Sequence, residues 1–339
     1  MTTMQEVAKL AGVSKATVSR VLSGKGYVGK AARERVFKAI EESGYRPNLL
    51  ARQLATQQSQ TIGLVMTNTL YNGSYFSELL AQAAHMAEDH GRQLLLADGK
   101  HSAAQEREAI EFLLDLRCDA LVIYPRFLSA DELDEIVMSH RQPIMVLNRR
   151  LRKNVSHCIF ADHRAASQAA VEQLIRRGHR DIAFITGAQG SPTAIERLSG
   201  YKDALAKQAI ALNDALIVEG KWTPESGAEA VTQLLDNGAS FSALVASNDN
   251  MATGAIKRLH DAGFALPEQV SVIGFDDIPV APFTVPSLSS VKVPVSDMVK
   301  DTINKLLFML DGGAFNASSA FTGELILRES VANGPFYTK

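Results

Sequence analysis

Cysteine is almost missing from this chain: 339 residues hold two, Cys118 and Cys158, each in an apolar, strand-like run. Two thiols are too few for a disulfide framework or a cysteine-rich zinc site. Long apolar stretches are missing too. The longest aliphatic or aromatic runs reach about five residues, as at 120–124, where a membrane span needs about 18. The opening residues Met1-Thr2-Thr3-Met4-Gln5-Glu6 show no basic leader running into an apolar stretch, so no secretory signal is read there. The eight histidines form no His-Glu-x-x-His pair and no Cys/His ligand spacing, and each reads as a surface or core residue. No Gly-x-Gly-x-x-Gly joins a strand to a helix, and no Gly-x-Ser-x-Gly nucleophile elbow occurs. Gly24, Gly29 and Lys30 match part of a phosphate-cradling loop, but Ala31 stands where magnesium needs a hydroxyl and the preceding segment reads as helix. These absences leave the expectation of a cytoplasmic protein that is not an enzyme, needs no cofactor or metal and meets no membrane.

What is present is ordinary globular composition, 46% apolar and 21% charged, in a chain long enough for two or three domains. The net charge of −2 is unevenly spread. Residues 1–58 hold ten Lys/Arg against four acids, or +6, which leaves 25 basic and 33 acidic residues, or −8, in the remainder. A small basic head on a larger acidic body fits a protein whose head alone meets a polyanion. On charge alone a solvated helical surface accounts for it equally, so the pattern within the head has to decide.

That pattern is helical. Thr3-Met4-Gln5-Glu6 is a capping box, which starts a helix at Met4; Gly12 ends it in the left-handed conformation. Ser14 caps a second helix whose Val18, Val21 and Leu22 fall at i, i+3, i+4. A third runs over 30–42 with Ala32, Val36, Phe37 and Ile40 on one side. Two short helices joined by a glycine turn and covered by a third make a helix-turn-helix unit. Beyond Pro47, Asn48 caps a short helix over 49–55, and the polar stretch 56–60 reads as a linker. About seven residues of helix are unstable alone in water, so that segment needs a partner to fold.

From Thr61 onward β-rich runs recur at 62–66, 93–97, 120–124, 144–147, 182–186, 244–246 and 270–275. Most are separated by helical patterns at 78–88, 106–116, 165–177, 194–207 and 251–259. The alternation calls for parallel sheets with helices on both faces. About 280 residues is long for one such sheet, so two doubly wound subdomains with a cleft between them are expected, with ligands beyond the carboxyl ends of the strands.

The run Val7 to Leu22 (VAKLAGVSKATVSRVL) resembles the recognition unit of the lactose repressor/galactose repressor family of bacterial transcriptional regulators. So do Tyr45-Arg46-Pro47-Asn48 leading into Ala51-Arg52-Gln53-Leu54-Ala55, then Arg197-Leu198-Ser199-Gly200-Tyr201, Asn248-Asp249-Asn250-Met251 and Ile273-Gly274-Phe275-Asp276-Asp277. The likeness spans nearly the whole chain and leans to the galactose-repressor branch, which takes in regulators of arbutin, salicin and cellobiose (β-glucoside) operons. It implies a helix-turn-helix head at 1–46, a hinge helix and linker at 47–60 and a periplasmic-binding-protein-like body at 61–339. Within that body the N-subdomain is expected at about 61–160 and 292–322, and the C-subdomain at about 161–291 and 323–339.

The resemblance also implies roles. The second helix enters the major groove, where Lys15, Ala16 and Arg20 reach base edges; an arginine fork suits guanine O6 and N7. Thr17 and Ser19, with the helix N-terminus, hold phosphates and fix register, and Thr3 and Ser14 count among the DNA-binding residues. Asn48, Ala51 and Leu54 belong to the hinge, with Leu54 as a wedge driven from the minor groove into the central base step of a palindrome. In the body the likeness places Arg197, Asn248 and Asp276 against a sugar, a chemistry suited to vicinal hydroxyls. Trp222, Tyr75 and Phe76 supply aromatic walls, and Asn148 and Tyr124 follow strands at the cleft. For Trp222 and Tyr75, plain packing stands as an equal reading. The partners implied are double-stranded operator DNA, a sugar or glycoside effector and a second copy of the chain. Only nine residues follow Ser330, with no leucine heptads, which favours a homodimer over a coiled-coil tetramer. A sugar that releases the operator is the expectation. Ligand- or partner-strengthened DNA binding is the alternative, since one cleft can couple with either sign.

Overall fold

The computed structural model describes residues 2–23, 26–45, 58–67, 73–188 and 190–338. The chain divides into two compact units, 1–59 and 60–339.

In the first unit, helix α1 (Met4–Ala11) is opened by a complete capping box: the Glu6 N–H donates to Thr3 Oγ1 at 3.3 Å, and the Thr3 N–H donates to the Glu6 carboxylate at 2.7 Å. Gly12 closes it at φ 61°, and the Val13 N–H returns to the Ala8 carbonyl at 3.0 Å. Helix α2 (Lys15–Ser23) starts where the Thr17 N–H donates to Ser14 Oγ at 3.1 Å. Helix α3 (Lys30–Ser43) ends on Gly44, again left-handed. Val7, Ala8, Ala11, Val18, Val21, Val36, Ala39 and Tyr45 form the core. Arg35 of α3 donates to the Ala11 carbonyl at 3.1 Å and so ties down the α1–α2 turn. One expectation is corrected here. Phe37 is 51% exposed, because the inward stripe of α3 runs through Val36, Ala39 and Ile40, and Phe37 lies one step off it.

The second unit contains two sheets. The first has the order β11-β5-β4-β3-β1-β2, all parallel, from β1 (Thr61–Met66), β2 (Gln93–Asp98), β3 (Ala120–Ile123), β4 (Ile144–Leu147), β5 (Cys158–Ala161) and β11 (Ser319–Phe321). The second has the order β12-β10-β9-β8-β6-β7, from β6 (Ile182–Thr186), β7 (Ile217–Glu219), β8 (Ala243–Ala246), β9 (Ser271–Phe275), β10 (Ser289–Lys292) and β12 (Glu324–Ile326). Only its edge strand β12 is antiparallel. Helices α4 (Ser74–Asp89), α5 (Ala103–Asp115), α6 (Ala130–Ser139) and α11 (Val295–Leu310) belong to the first lobe. The second lobe holds α7 (His163–Arg176), α8 (Pro192–Lys207), α9 (Pro224–Asp236) and α10 (Asp249–Asp261). Each sheet carries an apolar cluster on both faces, which explains continuous runs such as Ala120–Ile123 and Ala243–Ala246 that bury every residue. The chain passes between the lobes three times, after β5, after β10 and after β11. In both sheets the order reverses beside the first strand, between β1 and β3 and between β6 and β8, which places a ligand crevice at those carboxyl ends.

Among the described residues no helix is long and apolar enough to cross a membrane.

Candidate nucleic-acid interface and ligand cleft

On the head, packing decides what α2 presents. Val18 and Val21 are drawn into the core, so Lys15, Ala16, Ser19 and Arg20 form one exposed stripe and Thr17 is half-buried. Ser14 Oγ sits 2.9 Å from Thr17 Oγ1, so the two hydroxyls gather at the N-terminus of α2 while Lys15 stands free of the core beside them. That terminus is where backbone donors meet an anion. Thr3 is committed to the α1 cap, and its carboxylate partner Glu6 is held below the usual range by the Thr3 backbone N–H and then by its hydroxyl. The hinge positions Asn48, Ala51 and Leu54 lie outside the described residues.

In the body, strand ends deliver the polar groups. Arg197, one turn into α8, is 2% exposed. Its guanidinium donates to Asp276 Oδ1 at 3.2 Å and to the Ser247 carbonyl, and it lies 4.3 Å over the Phe275 ring. Burial pushes the Asp276 carboxyl upward and Arg197 pulls it back, so the pair is mutually dependent. Among the described residues, Arg197 Nε within this pair and Ser247 Oγ next to it are buried and find no hydrogen-bond partner. A buried donor left unpaired costs about 1–3 kcal/mol.

Tyr75 at the start of α4 and Tyr124 after β3 meet edge to face, ring centroids 6.0 Å apart, and the Tyr124 hydroxyl donates to that of Tyr75 at 3.4 Å. Asn148 after β4 donates from Nδ2 to the Tyr124 oxygen at 2.7 Å. Burial raises both phenols, and both also feel the charges of Asp276 and Arg197 from the other lobe. The cleft therefore brings together Tyr75, Tyr124, Asn148, Arg197 and Asp276. Phe76 packs into the first lobe's core beside Tyr75.

Asn248 caps α10, its Oδ1 accepting from the Met251 N–H at 2.9 Å, while its Nδ2 donates to the Trp222 carbonyl at 3.0 Å. The half-buried indole packs on the second lobe's core and over Gly187, where an added Cβ would stand 1.9 Å from the ring. Gly187 is thus what lets the ring lie there. Trp222, Asn148 and Asp276 all have left-handed backbone, at φ 69°, 61° and 96°. Such conformations in non-glycine residues cost about 1–3 kcal/mol each and concentrate at functional sites.

The model of "Bacterial regulatory proteins, lacI family" matches residues 3–48, and that of "Periplasmic binding protein-like domain" matches 171–331. The chain is 67% identical over 331 residues, 98% of each protein, to the HTH-type transcriptional regulator AscG of Escherichia coli K12. It is 35% identical over 333 residues, 98% of this chain and 96% of the other, to the regulator GalR of the same strain. The chain belongs to the LacI family. Its structure also resembles the lac repressor dimer bound to operator and the anti-inducer ONPF, with a TM-score of 0.89 at 27% identity over 98% of this chain and 99% of that one.

As a LacI-family member the chain is a DNA-binding helix-turn-helix transcriptional repressor, in the galactose-repressor-like branch, and its relatives are named as regulators rather than enzymes. Three groups at the cleft escape sequence reading. His163, the first residue of α7, is 6% exposed; its Nε2 is 2.9 Å from Asn148 Oδ1 and its Nδ1 is 3.3 Å from Arg197. Ser247 carries the orphan hydroxyl. Asp249, fully buried, accepts from Ser290 Oγ at 2.6 Å and the Ile278 N–H at 2.9 Å, and burial, with Asp276 next, pushes its carboxyl up to about 8. A lone His or Ser beside a strand end carries no spacing signal.

Proposed function

We propose that this repressor acts as a homodimer on a palindromic operator of a sugar-utilisation operon and is released by a sugar or glycoside, of the β-glucoside or galactoside class, bound between the lobes. The observation that carries the reading is the buried Arg197–Asp276 pair of the second lobe, felt electrostatically by the hydrogen-bonded Tyr75 and Tyr124 of the first, with Asn148 on Tyr124: a preformed set of donors and one carboxylate, suited to vicinal hydroxyls rather than to an apolar or anionic guest. The lac repressor dimer bound to operator supports a two-fold arrangement in which two copies of the α2 stripe read two half-sites. Lys15, Ala16 and Arg20 then read bases, Ser14, Thr17 and Ser19 hold phosphates, and the Thr3 cap orients the first helix. The hinge residues Asn48, Ala51 and Leu54 complete the contact at the centre of the site, with Leu54 as the wedge.

Coupling is reciprocal, so operator DNA weakens effector binding by the factor by which effector weakens operator binding. The test titrates a fluorescent inverted-repeat duplex with the full chain, alone and with arbutin, salicin, cellobiose and galactose, at two salt concentrations. Specific binding that at least one sugar weakens tenfold or more supports the reading. Tightening by sugar reverses the sign to a corepressor, and indifference to every sugar removes the effector assignment.

A further inference from the structure

His163 stands between the lobes, and its two ring nitrogens face groups of fixed character. A guanidinium has no acceptor, so Nδ1, 3.3 Å from Arg197, has to present its lone pair. Nε2 then carries the hydrogen, and Asn148 has to offer its oxygen there, which turns Nδ2 toward Tyr124. Every link follows in one direction: Arg197 to His163, His163 to Asn148, Asn148 to Tyr124, and Tyr124 to Tyr75. The Tyr75 hydroxyl ends the row with its own hydrogen unspent. Reversing the Arg197–His163, His163–Asn148 or Asn148–Tyr124 link alone leaves two donors or two acceptors face to face; only the last link can turn, because a phenol oxygen accepts twice.

We propose that His163 is the positioning residue of the effector cleft, a neutral imidazole that sets Arg197 of one lobe and Asn148, Tyr124 and Tyr75 of the other in a single donor direction, so that a sugar meets a prearranged row of hydroxyl-binding groups. The proposal rests on the reading of the cleft as the effector site. Buried hydrogen bonds in series polarise one another, so the gain exceeds that of isolated pairs. Protonation of the ring destroys the arrangement, because imidazolium has no acceptor for Arg197 and places a second cation beside it. The charged groups around the ring are Arg197 from α8 and, behind it, Asp276 after β9; Asp162 caps α7, and Arg164 on the same helix is exposed and paired with Asp203. The phenols of Tyr124 and Tyr75 lie beyond Asn148. Burial, then Arg197, holds the imidazole well below its usual range, in agreement with the geometry.

Two measurements test this on the full chain. The first needs no ligand: 15N-histidine NMR between pH 8 and 5.5, with the His163 signals identified by their loss in His163→Gln. A neutral Nε2–H tautomer throughout is expected; the Nδ1–H tautomer, or titration near 6.5, overturns the proposal. The second follows Trp222 fluorescence with cellobiose and galactose as probes for the unaltered chain, His163→Leu and His163→Gln. Glutamine carries an acceptor and a donor with the same one-atom separation, so it should hold affinity within threefold and remove any loss of binding between pH 6.5 and 5. Leucine should cost tenfold or more at every pH. Equal affinities in all three proteins overturn the positioning role while leaving sugar binding intact. A chain that binds no sugar but keeps the Nε2–H tautomer refutes the effector reading instead.

Discussion

The head and the body hold their polar groups in opposite ways. On α2 of the head, Lys15, Ala16, Ser19 and Arg20 stand exposed on a scaffold whose internal bonds are completed by caps and a small aliphatic core. In the body, Arg197, His163 and Asn248 are buried, and each already donates to or accepts from a neighbour. The first arrangement suits a large, strongly charged partner whose phosphates supply the energy and whose base edges supply the discrimination. The second suits a small neutral guest that has to replace bonds one for one, so a wrong hydroxyl pattern leaves a buried group unpaired. Affinity from the head should therefore fall steeply with salt, and affinity from the cleft should not.

The contrast breaks most sharply at Arg197. Arg197→Ala leaves Asp276 buried without its partner; breaking such a pair costs about 3–5 kcal/mol. Calorimetric titration is expected to show loss of sugar binding by two orders of magnitude or more, a lower Tm for the body, and operator affinity that no longer answers to sugar. The matching change on the head is Arg20→Ala. A bidentate base contact is worth about 1–3 kcal/mol, so affinity for the preferred operator should drop between fivefold and 150-fold while affinity for random duplex changes far less. Lys15→Ala, at a second base-reading position, should relax the preference for the operator over random duplex, measured in the same titrations.

Asp249 tests the cost of the body's burial. Its carboxyl is raised from 3.8 to about 8, so the folded protein holds a proton that the unfolded chain releases, and the stability gained is complete below about pH 4 and lost as pH rises toward 8. Asp249→Asn should match the unaltered protein in acid and show the higher Tm at pH 8; parallel Tm profiles would contradict this. The smallest expected effect belongs to the head's frame. Thr3→Ala removes the hydroxyl half of the capping box, about 1 kcal/mol, measured as an earlier melt of the head with little change in the body.

Legibility divided along the same line. The head was readable to within a residue because caps and a 3.6-residue repeat are local signals: Thr3, Gly12 and Ser14 sit at the boundaries the sequence predicts. Phe37 misled because apolar character was counted without its angular position on α3. In the body, seven strands are legible as β-branched or aliphatic runs and β5 only as the strand-like run around Cys158, its bounds not drawn, whereas β7, β10, β11 and β12 are not. Those four are three or four residues long, and Ser289–Lys292 and Glu324–Ile326 carry serines or a charge where an apolar signal is sought. Helices α6, α9 and α11 were also unannounced, although their apolar stripes are more pronounced than those of α5, α7 and α8, which were read. At the cleft, Arg197, Asn248 and Asp276 were legible only through resemblance. His163 was not legible at all, since its meaning comes from Asn148 and Arg197, 15 and 34 residues away.

The threefold passage of the backbone between the lobes has an evolutionary consequence. Because each lobe is assembled from separated stretches of the gene, a single recombination event cannot trade one lobe for another without severing a sheet. Residues 1–59, by contrast, are one uninterrupted cassette. A crossover near residue 59 therefore transplants an entire DNA address in one step. The body, with its interwoven halves, has to drift toward new ligands by point changes around an inherited frame.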